Sequence, residues 1–284
     1  MIKVIFGLLV FSLFACAKKE AAPPKLEHLT AQLIAEVTSI APGQPFWVGL
    51  KLEMENGWHV NWRNPGDAGL APTIKWALPE GFTAGEINWP IPKRIPVGDL
   101  MLFGYEGTVL LPVEITPPSA FDNNEVILSA ACDWVICGDV CIPGETNLTL
   151  TLPVKEETPQ LITEHVAEFA STRTNIPIAN DIYNLAASAT DKTINIDFVP
   201  ISGDDLKIGE LVFFPEVQGI INNAAEQRFS RDNFVYQLEI DRDNMFPSVP
   251  ENLKGVLVFS GSGFLGAKVV LIDVPLSKQI SIQN

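Results

Sequence analysis

The chain is poor in cysteine, histidine and basic residues, and each shortage narrows what it does. Of its 284 residues, four are cysteine and three are histidine. Around His28, His59 and His165 no Ser-His-Asp order or paired carboxylate stands out, so hydrolysis finds no footing. Lys and Arg number 19 against 34 Asp and Glu, a formal net charge of −15. A surface of that sign repels phosphate, which argues against nucleic acid as a partner. There is no phosphate loop, internal repeat, low-complexity tract or paired CxxC of the zinc type, and no cofactor is implied. After the N-terminal segment no apolar run is long enough to cross a bilayer; Gly255–Phe259 and Lys268–Val274 are strand-length. Tryptophan ends at Trp134 and cysteine at Cys141. What remains is 47% hydrophobic and 19% charged, enough to bury real cores in one large or two ordinary domains.

The N-terminus reads as an export signal. Lys3 supplies a short basic region, and Val4–Phe14 is an apolar run of signal length, too short for a stable span. Leu13-Phe14-Ala15-Cys16 resembles a lipoprotein lipobox, with Cys16 as the lipidated residue; the competing reading is a plain cleaved signal. Residues 1–15 are expected to be the signal and 16–27 a polar, proline-containing tether. Either reading puts the mature chain outside the cytoplasm, where disulfides persist.

From His28 onward the pattern is short β-type runs punctuated by Pro and Gly. Leu29–Val37 and Phe46–Met54 alternate apolar and polar residues. Val109–Ile115, Glu125–Val135 and Asn147–Val154 are further strands. Asn64-Pro65-Gly66-Asp67 and Leu78-Pro79-Glu80-Gly81 are turns, and the tryptophans near them are read as packing residues. Ile87–Pro96 is too proline-rich for a central strand, and Gly98–Gly107 reads as an exposed loop with large apolar groups. Thr158–Ser171 is expected to be a helix, capped by Thr158 with Pro159 at its first position. Five later runs, Thr193–Val199, Glu210–Phe214, Phe234–Ile240, Gly255–Phe259 and Lys268–Val274, predict a second β-sandwich. The fold class is therefore all-β, two immunoglobulin-like sandwiches over 28–154 and 181–284 joined by a short helical linker at 155–180.

The chemistry concentrates in Ala130–Glu145, which holds Cys132, Cys137 and Cys141. Cys137 and Cys141 lie four apart across Gly138-Asp139, so a bridge between them requires the backbone to reverse there. The stretch sits between two strands and so at a reachable tip. If Cys16 carries lipid, an odd three cysteines remain in an oxidising compartment. Redox exchange, a fixed structural bridge and soft-metal binding by the three cysteines with His59 all fit these residues. Asp133 and Asp139 would raise neighbouring thiol pKa values, which suits a pair activated by its partner. A lone His59 is otherwise read as a structural donor.

Several blocks together resemble the periplasmic N-terminal region of bacterial disulfide reductases of the DsbD and ScsB type. They are Gly57-Trp58-His59, Trp62-Arg63-Asn64-Pro65-Gly66-Asp67, Leu78-Pro79-Glu80-Gly81-Phe82, Trp89-Pro90, Phe103-Gly104-Tyr105-Glu106, Cys137-Gly138-Asp139-Val140-Cys141-Ile142-Pro143 and Phe213-Phe214-Pro215-Glu216. The resemblance implies an immunoglobulin-like sandwich whose exchanging pair is Cys137 and Cys141; of the two, Cys141, beside Ile142-Pro143, is read as the attacking sulfur. It implies a cap loop, here Asp99–Tyr105, in which Phe103 and Tyr105 would shield the pair. The partners it implies are a thioredoxin-like or membrane disulfide reductase on one side and envelope client proteins on the other. The cysteine spacing is shorter than in DsbD itself. The transmembrane and thioredoxin-like domains of fuller family members do not follow in this sequence, so either electrons come from separate proteins or exchange has been lost. The alternatives are a protein-binding lipoprotein with a structural disulfide, and copper or other soft-metal handling.

Overall fold

The computed structural model describes residues 25–201, 208–233, 235–243, 249–260 and 268–278. The expected signal and Cys16 lie outside the described residues. Almost every described element is a strand, with one α-helix, as an all-β immunoglobulin-like fold requires.

The first core lies between two sheets. One has the spatial order Lys25–Leu26, Leu29–Ala35, Phe46–Met54, Thr108–Thr116, Thr83–Ala84. The other runs Cys141–Pro153, Glu125–Cys137, His59–Gly66, Leu100–Glu106, Lys93–Val97, and Thr73–Ala77 also pairs with Glu125–Cys137. Period-two alternation explains which side chains meet. Along Glu125–Cys137, Val126, Leu128, Ala130, Cys132, Trp134 and Ile136 are all buried, while the residues between them face away from this core.

Two strands run where turn and loop chemistry was expected. His59–Gly66 carries Pro65, which is tolerated because the pairing with Leu100–Glu106 slips between Asn61 and Gly66. Leu100–Glu106 replaces the exposed loop expected over 98–107. Its Leu102, Phe103 and Tyr105 are buried, so tertiary packing outweighs the flanking glycines. The proline-rich stretch before it yields Lys93–Val97 at the sheet edge, where a missing N–H is harmless.

The helix also moves. It spans Thr163–Thr174, and its N-cap position is Ile162, without a side-chain cap. The expected first turn is used instead to extend the first sheet. Thr38 N donates to Gln160 O at 2.8 Å, Val37 bridges to Leu161, and Ile162 N donates to Glu36 O at 2.8 Å. The two backbone bonds that make this bridge outweigh one local cap. The helix buries Phe169 against Ile34 and Leu110, and Arg173 donates to both carboxylate oxygens of Glu36.

Seven of the remaining strands form one hydrogen-bonded path: Glu210–Pro215, Asn252–Ser260, Lys268–Lys278, Tyr183–Ala189, Thr193–Pro200, Val235–Asp241, Arg228–Asp232, and Ile178–Ala179 pairs with Lys268–Lys278 off it. Phe259 from one end stacks on Tyr183 and meets Phe198 edge-on, at centroid distances of 4.8 and 5.5 Å, so the path closes around a second core. Tyr183–Ala189 and Arg228–Asp232 were not expected from the sequence; the first has small residues where a strand signal needs branched ones, and the second is almost wholly polar.

Candidate redox site at the hairpin tip

Glu125–Cys137 and Cys141–Pro153 pair antiparallel without a break from Glu125 opposite Pro153 to Cys137 opposite Cys141. The turn between them is Gly138-Asp139-Val140, in which Gly138 N donates to Val140 O at 2.9 Å. This reversal brings the two Cα atoms to 4.1 Å, and the sulfurs are bonded. The pair is asymmetric. Cys137 is 3% exposed, whereas Cys141 lies on the open side of the hairpin beside the exposed Asp139 and Val140. Of the two bridged cysteines, Cys141 is the one open to solvent.

Cys132 is separated from this chemistry by the pleat. It is five residues before Cys137, an odd interval, so the two side chains stand on opposite faces of the strand. Its thiol is 1% exposed in the core and is pushed up to about 12 by burial, with the charge of Asp133 adding to the shift. The four-ligand soft-metal set of Cys132, Cys137, Cys141 and His59 is split by the same geometry. Among the described residues no group of three metal-ligating side chains converges.

The aromatic group beside the turn is Trp58. A Cβ placed on Gly138 would stand 3.0 and 3.1 Å from Trp58 Cδ2 and Cε2, so the indole lies directly against the turn. Its other neighbour is His28, stacked at 4.0 Å with the planes 9° apart, and His28 Nδ1 lies 2.8 Å from Glu55 Oε2. Phe103 and Tyr105, expected as the shield, are placed elsewhere. Tyr105 is paired with Val60, and Val60 with Ile136, which puts Tyr105 on the core face of the sheet, opposite to Cys137. Its hydroxyl donates to Pro90 O at 2.7 Å. Phe103, two residues before it on the same face, packs on Phe214.

The row that does contain Cys137 runs Cys137, His59, Glu106 across three adjacent strands. His59 is 4% exposed, and its Nε2 has no hydrogen-bond partner among the described residues. Burial holds its pKa below the usual histidine range, with the Glu106 carboxylate pulling the other way. Farther down the same face, an apolar cleft of about 560 Å³ runs along Val135 and Pro143 under Leu70 and Ala71, with Asp133 and Glu145 at its polar side.

The Trp62–Asp67 block serves the junction between the two cores. Arg63 Nη2 lies 2.6 Å from Glu216 Oε1, Asn64 donates to Pro215 O at 2.7 Å, and Gln218 donates to Gly66 O at 2.9 Å. The sequence blocks around Trp62 and Phe213 are thus two halves of one interface.

Residues 28–153 match the family described as "Thiol:disulfide interchange protein DsbD, N-terminal". The match covers the first sandwich, fewer than half of the 284 residues, and likens it to that family. The structure is similar to the N-terminal periplasmic domain of ScsB from Proteus mirabilis, with a TM-score of 0.63, 15% sequence identity and coverage of 90% of this chain and 96% of that one. The conserved domain protein from Bacillus anthracis is more distant, at a TM-score of 0.28 and 10% identity over 89% of this chain and 88% of that one. No curated protein matches the chain in sequence. The ScsB likeness spans both cores and gives the fold.

Proposed function

We propose that this protein is a thiol–disulfide exchange module on the periplasmic side of the bacterial envelope, working through Cys137 and Cys141. The observation that carries the reading is the asymmetric bridge at the hairpin tip, one cysteine exposed and one buried. A reductase thiolate attacks the Cys141 sulfur; the Cys137–Cys141 bond breaks and its electron pair leaves on Cys137. A second reductase thiol then resolves the mixed disulfide, releasing the dithiol. In the client half-reaction the Cys141 thiolate attacks a client disulfide, and Cys137 closes the bridge again. Two electrons and two protons pass to the client. The electron donor is a thioredoxin-like or membrane disulfide reductase, the acceptors are envelope proteins, and Cys16 anchors the chain to a membrane through lipid. The second sandwich, which has no cysteine, braces the first.

The test is the redox equilibrium of the protein in glutathione buffers, read by thiol-alkylation gel shift for the wild type and Cys132→Ser. An exchange module titrates between about −120 and −270 mV, as known exchange proteins do, in both forms. A bridge still closed below about −300 mV behaves as a structural disulfide and overturns the reading.

A further inference from the structure

His59 and Cys137 are directly opposed residues of neighbouring antiparallel strands, so their side chains stand side by side on one face. A buried ring nitrogen without a partner is costly to fold around. When the bridge is closed, the only sulfur across the strand pair is a disulfide sulfur, which has no proton to share. Opening the bridge puts a thiol or thiolate in that position. An opened bridge therefore offers this side of the row a proton-bearing or anionic sulfur that the closed bridge does not.

We infer that His59 is the acid–base partner of Cys137, taking its proton when the pair closes and returning it when the pair opens. The inference rests on the exchange reading above. In the closing step, the Cys137 thiol proton passes to His59 Nε2 and the thiolate attacks the Cys141 sulfur of the mixed disulfide. The Cys137–Cys141 bond forms, and the bond from Cys141 to the client sulfur breaks. The electron pair leaves with the client sulfur, which takes up a proton, so the cysteine pair loses two electrons and the client gains them. Once the bridge is closed the imidazolium gives its proton to water and His59 is neutral again; in the opening step the Cys137 thiolate takes its proton from water by way of His59 as it leaves.

The surroundings suit this role. His59 is kept neutral by burial and so is ready to accept. Glu106, its partner on the other side, favours the imidazolium once it forms and is itself tied to Lys93 at 3.4 Å. Two residues along the same strand lies the neutral, buried amide of Asn61, and Asp139 is an exposed residue of the turn beyond Cys137.

The experiment removes the bridge, so that it reads His59 whether or not the pair exchanges with clients. In the full chain carrying Cys141→Ser, the ionisation of Cys137 is followed by thiolate absorbance at 240 nm against pH, with Cys137→Ser/Cys141→Ser subtracted as the blank. With His59 present the thiol is expected to ionise at least one pH unit lower than in His59→Gln/Cys141→Ser, about tenfold in thiolate at a given pH. Superimposed titrations overturn the inference. If His59→Gln does not fold, the imidazole of His59 is titrated by NMR in the oxidised and reduced wild type. A titration that moves on reduction supports the partnership, and one that stays in place overturns it. Failure of the exchange reading would show separately, as a bridge closed in every glutathione buffer.

Discussion

Phe103 of the first core meets Phe214 of the second edge to face, with ring centroids 5.1 Å apart. Trp62 approaches the same ring at 6.2 Å, and the Arg63–Glu216 pair flanks them. Edge-to-face rings add to the area they bury, so this cluster joins the two sandwiches into one packed body. Phe214→Ala is expected to cost about 3–5 kcal/mol in urea denaturation, the usual range for a buried Phe. Phe103→Ala should cost a similar amount and leave the rate at which dithiothreitol opens the disulfide unchanged, because its ring points into the core. A severalfold faster reduction in Phe103→Ala would restore it as the shield.

The aromatic ring that does lie against the turn is that of Trp58, beside Gly138. Trp58→Ala is expected to speed reduction of the Cys137–Cys141 bridge severalfold, measured by phosphine titration, with Trp58→Phe in between. Gly138→Ala forces a methyl to within about 3 Å of both the indole and Gly57 O, and something must shift. Overpacking of this kind costs about 1–3 kcal/mol, so that variant should melt earlier and show a more reactive bridge.

Much of this was legible in the sequence, and what was not has a common cause. Alternation along Glu125–Val135 located the inner strand of the hairpin, and the four-residue cysteine spacing across Gly138 located its tip. Both signals are local. Leu100–Glu106 gave a loop signal because Gly98, Gly104 and Gly107 break it up, yet Gly104 is there for backbone contact: a Cβ would lie 2.3 Å from Val60 O. The Trp62–Asp67 block read as a turn beside packing tryptophans, and its partners are about 150 residues away, at Pro215 and Glu216. His59 as a neighbour of Cys137 depends on strand register, which one sequence does not state. Thr158 had every local mark of a cap, and lost to strand pairing at Gln160 and Leu161.

Cys132 supplies a sharp internal control. Its thiol is buried and pushed up to about 12, so it holds almost no thiolate at neutral pH. In the fully reduced native protein, iodoacetamide at pH 8 is expected to label Cys141 within minutes and to leave Cys132 unlabelled until urea is added, as read by peptide mass spectrometry. Cys132→Ala should keep the Cys137–Cys141 redox equilibrium intact. Its cost is of the order of 1 kcal/mol, the loss of one small buried group.

The buried imidazole also leaves a mark on stability. His59 has a lower pKa folded than unfolded, because burial disfavours its charged form. Between the folded value and the ordinary value of about 6.5, the unfolded chain binds more protons at this site than the folded one. Stability therefore rises with pH across that window: the contribution is fully present above about 6.5 and is lost as the pH falls toward the folded value. One proton sets a slope of at most about 1.4 kcal/mol per pH unit. Urea midpoints of the oxidised protein, taken from pH 7.5 down to 5, should fall on this account, and His59→Gln should flatten that part of the profile. An unchanged slope in His59→Gln would mean that Nε2 reaches water in the folded protein, and the redox-linked partnership with Cys137 would lose its physical basis.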